Sequence, residues 1–356
     1  MESWLGGRIE SNAPELALAQ AASPRSLGQS LVLAVGHSDT GAAGLVEGAQ
    51  ALWHIQNVVI AIFFLFGIVI GSFLNVCITR IPEELSIVRP GSHCPRCQAP
   101  IRPYDNVPIV SWFVLGGKCR DCGLPISPLY PSIELLTGLV FVACYLSYGV
   151  TQETFKWLIF CCFILVLTIT DLRVRLLPDA VTWPGFGAGL VFSAFLPPED
   201  GIVLLFFWKL PHWAHRDFLL GLLSAVLGAA FGSFFLWGAG AVYKLLRGHD
   251  GLGSGDVKMM VMAGAFLGVR DTFLTILLGT LLGSIIGLSV VSTLYASGWR
   301  RKLAERASRR GLGSTNSLRC AIASQYQLPL GTFLGVAALL LVCLRPVLSR
   351  WWPYLI

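Results

Sequence analysis

Residues 155–171 read FKWLIFCCFILVLTITD, a run whose only charges are Lys156 near its start and Asp171 at its end. A stretch this apolar hides its backbone polar groups in lipid only as a helix, and about 20 helical residues cross a hydrocarbon core. Runs of the same kind lie at 56–78, 131–149, 181–196, 218–243, 257–269, 272–296 and 329–346. The chain therefore reads as an all-α polytopic membrane protein with about eight transmembrane helices. Composition agrees: 54% of the 356 residues are hydrophobic, 13% are charged, and the mean hydropathy is +0.68, too apolar for an ordinary soluble domain. Two boundaries are irregular, since 257–269 is short and bracketed by Asp256 and Arg270, while Pro184 interrupts 181–196.

Loop charge gives the orientation. With both termini outside, the inside loops hold eighteen of the 26 Lys and Arg residues, at 79–130, at Arg173 and Arg175, from Lys244 to Lys258, and at 297–328. A seven-span count would move one terminus to the other face. The net charge of +6 is scattered over the ends of apolar runs rather than gathered on a polar domain, which argues for membrane lipid and against nucleic acid as a partner. Met1–Ser30 carries an early Glu2 and no basic stretch leading into an apolar core, so the first span is expected to be the topogenic signal. The resulting organisation is a flexible extension 1–55, a first span 56–78, an inside loop 79–130, a membrane core 131–346 and a tail 347–356. Ile202–Lys209 (IVLLFFWK) is too short to span and reads as an interfacial hairpin. His212 and His215 beside it have no carboxylate or cysteine partner nearby and fit an aromatic belt better than a metal site. The basic stretch 297–326 reads as a topology signal.

The inside loop carries two CxxC pairs, Cys94-Pro-Arg-Cys97 and Cys119-Arg-Asp-Cys122, separated by 21 residues. Each pair can give two thiolates to one ion, and the two together complete a tetrahedral four-sulfur shell suited to zinc. In a reducing compartment a metal explains four such cysteines better than disulfides do. Four protein ligands leave no open position, so the expected role is a structural staple for a polar loop too small to have a core. Cys77, Cys144, Cys161, Cys162, Cys320 and Cys343 lie in or beside apolar runs and read as packing residues.

Under the same orientation Asp171 and Asp256 both fall at the inner interface. An ionisable residue at the edge of a span is costly, and is a functional candidate for that reason. Either aspartate alone could be a helix cap; two at one depth are harder to explain so. Two carboxylates that share a site do not both ionise easily, so one can accept a proton from water while the protonated partner donates to a scissile carbonyl or leaving amine. The residues leave open which aspartate plays which part. The glycines of Gly251-Leu-Gly-Ser-Gly-Asp256 would let a substrate strand approach closely, and the string matches neither a dinucleotide fingerprint nor a P-loop. The competing class is a transporter whose carboxylates relay protons or bind cations, but the matched broken helices and internal repeats of that class are not seen.

Several longer motifs carry a family resemblance. They are Gly71-Ser-Phe-Leu-Asn-Val-Cys-Ile-Thr-Arg-Ile-Pro82, Pro90-Gly-Ser-His-Cys94-Pro-Arg-Cys97, Ile101-Arg-Pro-Tyr104-Asp-Asn106-Val-Pro108 and Tyr130-Pro131-Ser-Ile-Glu134. With Asp171, Leu177-Pro178-Asp179, Gly253-Ser-Gly-Asp256-Val-Lys258 and Leu328-Pro-Leu-Gly-Thr-Phe333, they make the chain resemble the type IV prepilin leader peptidases, GxGD-type intramembrane aspartyl proteases, over roughly 70–335. The resemblance implies removal of the basic leader from type IV prepilins or type II secretion pseudopilins at the cytoplasmic face of the bacterial inner membrane. It implies Asp171 and Asp256 as the peptidase pair, with Lys258 and Asp179 in support. The tetracysteine loop resembles that of bifunctional members, which implies N-methylation of the new terminus with S-adenosylmethionine. Glu134 is a candidate for binding or methyl transfer, or a carboxylate favoured at a helix start. Departures from the family pattern are the N-terminal extension, the insertion around 201–216, and Leu330-Gly-Thr where many members show Phe-Gly-Pro, a change expected to touch only local loop geometry.

Overall fold

The eight candidate spans named above fall in helices to within one residue at their ends. The computed structural model describes residues 42–197, 203, 216–248, 253–296 and 329–351. Its α-helices are α1 (Ala42–Arg80), α2 (Val110–Val114), α3 (Leu129–Tyr148), α4 (Gln152–Val174), α5 (Asp179–Phe195), α6 (Arg216–Arg247), α7 (Ser254–Ala296) and α8 (Leu330–Trp351). Among the described residues there is no β-strand, and the only bridges are His93 with Pro100 and Lys118 with Pro125. Five helical stretches, Trp53–Glu83, Leu129–Tyr148, Gln152–Val174, Arg216–Arg247 and Ser254–Val290, are long and apolar enough to cross a membrane, and Leu330–Arg345 is a shorter apolar helix.

Two boundaries differ from expectation. Helix α1 reaches back to Ala42, so 42–55 of the supposed flexible extension is helical. The cause is local: Ala-Ala-Gly-Leu-Val-Glu-Gly-Ala-Gln-Ala contains no proline, and propagation from an existing helix needs no new nucleus. At the other end α8 continues through Trp351 into the expected tail. Residues 1–41 of the extension, the expected hairpin around Ile202–Lys209 apart from Val203, with His212 and His215 beside it, and the 297–328 loop with Cys320 lie outside the described residues.

The chain forms two compact units, one from Met1–Cys77, Ser86–Cys162 and Val342–Ile356, the other from Ile78–Leu85 and Phe163–Leu341. In the first, Gly67 and Gly71 stand one helical turn apart on α1 and face α3. A Cβ on Gly67 would lie 2.8 Å from Gly138 Cα, and one on Gly71 would lie 2.8 Å from Glu134 Cα. Small residues thus let the two backbones touch, the packing helices use where lipid removes the hydrophobic drive to associate. Asn75 Nδ2 donates to Tyr130 O at 3.0 Å on the same seam. The end of α3 is tied to α8 by Ser147 Oγ and Tyr148 Oη, which donate to Cys343 O and Val342 O at 2.8 and 2.9 Å. Cys144 and Cys161 are fully buried here as packing thiols.

The second unit repeats the device. Buried Ala225, Ala229 and Ala265 form the seam between α6 and α7, and Ser193 Oγ of α5 donates to Ala265 O at 2.8 Å. Helix α7 is broken at Gly268, whose φ of 77° and ψ of −175° are not helical. A Cβ on Gly228 would meet Gly264 and Gly268, while one on Gly232 would meet both Met260 and Thr272. Residues before and after the break therefore run back along the same stretch of α6. Gly268 is a reversal, and the two apolar runs separated in the sequence are two limbs of one element.

Candidate functional site

Asp171 occupies the last turn of α4, which stops where Arg175 turns left-handed at a φ of 56° and donates its N–H to Asp171 O at 2.9 Å. A carboxylate at a helix C-terminus is disfavoured by the helix dipole and needs donors from elsewhere. They come from α8. Thr332 N–H and Thr332 Oγ1 both donate to Asp171 Oδ2, at 2.6 and 2.9 Å. Asp256 lies in the first turn of α7, and its carboxylate accepts from Gly331 N–H. The first N–H groups of a helix have no partner within it and carry the positive end of its dipole. The start of α8 thus aims orphan donors at both carboxylates.

Gly331 is what lets them meet. A Cβ placed there would lie 2.8 Å from Asp256 Oδ1 and 2.9 Å from Asp171 Oδ2, so the two oxygens are no further apart than those distances combined. One turn on, Gly335 leaves no room for a Cβ beside Thr168 of α4 and Met259 of α7. Both aspartates are buried, at 6% and 9% exposure, which puts two carboxylates in one largely water-free place. Around them Gly255 packs on Leu177, and Lys258 Nζ donates to both oxygens of Asp179 at 2.8 Å. That pair is half exposed, worth about 0–1 kcal/mol, and ties the start of α5 to the start of α7.

Sequence reasoning missed Gly331 and Thr332, treating the Leu-Gly-Thr departure as a matter of loop geometry. The available signal was Gly331-Thr-Phe-Leu-Gly335, a small-xxx-small pattern at the start of a span.

The four cysteines form a second cluster, within the first unit. Cys94 N–H donates to Ala99 O, Gln98 N–H to Cys94 O and Ile101 N–H to Ser92 O, each at 2.9 Å. The second knuckle repeats the pattern with Cys119 to Leu124, Gly123 to Cys119 and Ile126 to Gly117. Gln98 and Gly123 take the left-handed conformation that each turn needs, at φ of 60° and 67°. The four sulfurs lie within 4.8 Å of one another, and Cys94 Sγ is 3.9 Å from Cys122 Sγ. Tetrahedral ligation at about 2.3 Å would place sulfurs about 3.8 Å apart, whereas a disulfide needs about 2.05 Å. The group can hold a metal ion. Backbone N–H groups of Cys97 and Arg96 hold the Cys94 thiol down to about 6. Cys97 is pushed up to about 12 by desolvation and the neighbouring sulfurs, against the favourable Ala99 N–H.

The loop is braced on both sides. Arg120 pairs with Asp105 through two hydrogen bonds of 2.8 and 2.5 Å, and holds that carboxyl below the ordinary carboxylate range. Buried Glu134, on α3, accepts the N–H of Ile109 at 2.7 Å. Ile109 sits at φ 60° and ψ −55° in a three-residue turn closed by Val110 N–H to Pro108 O, a strained conformation for a β-branched residue. In this geometry Glu134 anchors the loop to the membrane helix.

The structure thus brings two buried carboxylates together at adjacent helix ends of a protein whose helices are apolar enough to cross a membrane. Residues 65–148 match the bacterial peptidase A24 N-terminal domain, and residues 158–288 match the type IV leader peptidase family. The prepilin leader peptidase/N-methyltransferase of Myxococcus xanthus is 35% identical over 237 residues, 67% of this chain and 64% of that protein. Its counterpart in Neisseria gonorrhoeae is 35% identical over 246 residues, 62% of this chain and 79% of that protein. That in Klebsiella pneumoniae is 36% identical over 225 residues, 61% of this chain and 89% of that protein. No solved structure matches the chain. The chain belongs to the type IV prepilin leader peptidase family, as a multi-pass membrane enzyme of the prepilin peptidase/N-methyltransferase kind.

Proposed function

We propose that Asp171 and Asp256 are the catalytic pair with which this enzyme removes the leader from type IV prepilins or type II secretion pseudopilins. The observation that carries this reading is Gly331, against which both carboxylates close. One carboxylate takes a proton from the attacking water while the other gives its proton to the scissile carbonyl; on collapse the first passes the water-derived proton to the leaving amine and the second takes its proton back from the gem-diol hydroxyl. Burial keeps bulk water from competing for those protons and strengthens every hydrogen bond in the site. Loop charge supports a position at the cytoplasmic face of the bacterial inner membrane, where the basic leader of a substrate would lie.

The second activity methylates the new N-terminal amine, and S-adenosylmethionine supplies the methyl group. Cys94, Cys97, Cys119 and Cys122 would hold zinc as a staple for the 79–130 loop, with no open coordination position for catalysis. In cells coexpressing a type IV prepilin, Asp171→Asn and Asp256→Asn are expected to remain membrane-inserted and to leave the prepilin uncut. Normal processing by either variant removes that aspartate from the pair.

A further inference from the structure

The oxygens of the two aspartates are not held alike. Asp256 meets one backbone N–H, that of Gly331, whereas Asp171 Oδ2 receives both the N–H and the hydroxyl of Thr332. Thr332 is 8% exposed, and its Oγ1 also lies 3.4 Å from Thr168 O, one turn back along α4. The hydroxyl therefore sits between the backbone of α4 and the carboxylate that α4 presents. A hydroxyl has one proton, and the 2.9 Å contact to Asp171 is the shorter of its two, so that proton goes to the carboxylate. Any residue but proline would supply the N–H; only serine or threonine adds this second donor on the same oxygen.

We infer that Thr332 is a positioning residue for leader cleavage, its hydroxyl fixing the Asp171 carboxylate against the first turn of α8. The inference rests on the reading of Asp171 as one of the catalytic pair. With Oδ2 occupied by two donors, Asp171 keeps Oδ1 for water or substrate. A carboxylate at the end of a helix, where its own dipole opposes it, has no other donor among those described to hold it in that pose. The hydroxyl acts through Asp171 rather than on the substrate.

The test is steady-state cleavage of a purified type IV prepilin by the full chain in detergent, comparing Thr332→Val, Thr332→Ala and Thr332→Ser. Valine keeps the shape and the N–H but removes the hydroxyl, and alanine does so without apolar bulk. Both are expected to lower kcat about tenfold with KM within about twofold, the size of a lost hydrogen bond to a charged group. Serine, which restores the hydroxyl but deletes the methyl, is expected to rescue most of that loss. A packing role would give the opposite order, with valine near wild type and serine impaired. Wild-type kcat in the valine or alanine variant, or a serine variant as slow as valine, overturns the inference. Asp171→Asn is run beside them: if it cleaves normally, the catalytic-pair reading fails instead, and the two failures are told apart.

Discussion

The tetracysteine cluster draws its four sulfurs from one loop, and each knuckle closes on hydrogen bonds to its own near neighbours. The aspartate site is made from the last turn of α4, the first turn of α7 and the first turn of α8, with hydrogen-bonded partners 161 positions apart. The first is a local construction whose spacing already states its geometry. The second exists only once three helices have packed, and glycine at the contact points decides whether they can. The difference is one of folding as much as of chemistry: a metal can organise the loop, whereas the carboxylates depend on bundle packing.

That contrast can be broken experimentally. If the aspartates act as a unit, Asp171→Asn and Asp256→Asn each lower prepilin cleavage by roughly a thousandfold or more, and the double variant is no slower than either. Losses that multiply in leader-removal kinetics would mean two independent groups. In the loop, Cys94→Ser combined with Cys97→Ser is expected to abolish bound zinc by elemental analysis and to open residues 79–130 to trypsin, because structural zinc contributes on the order of 10 kcal/mol to such folds. Full zinc content in that variant would refute the four-sulfur site.

Gly331→Ala probes the non-local side more gently. Its methyl would fall within 3 Å of both carboxylates, so overpacking of about 1–3 kcal/mol is expected, with cleavage down about tenfold in a protein that still inserts. Unchanged cleavage would show that the helices do not close as tightly as described. The smallest effect is expected at Asp105, whose carboxyl Arg120 holds below its ordinary value. A depressed carboxylate contributes only when ionised. Asp105→Asn should therefore lower loop stability slightly at neutral pH, and the gap from wild type should close as the pH falls below about 4. Thermal melts against pH measure this, and a gap that widens in acid contradicts the sign.

Much of the chain was legible in its sequence for the same reason that the cysteines were. Apolar runs such as 155–171 name their helices, and the CxxC spacing names its knuckles. Asp171 and Asp256 were visible as costly charges at span edges, but their partner was not, since nothing in a linear reading places the start of α8 over them. Thr332 looked like a local substitution because its importance lies in a contact made by tertiary packing. The reach of α1 back to Ala42 was hidden by a composition that looked featureless, although alanine-rich sequence continues a helix readily once one exists.

Hydrolysis of the leader peptide bond is the role we propose for the two aspartates beneath the start of α8. It is tested most directly by incubating the purified full chain with a type IV prepilin and reading the N-terminal mass of the product. Leader loss with a one-methyl increment is expected when S-adenosylmethionine is supplied, and intact prepilin with Asp171→Asn or Asp256→Asn. Mature pilin released at the wild-type rate by either variant would contradict it.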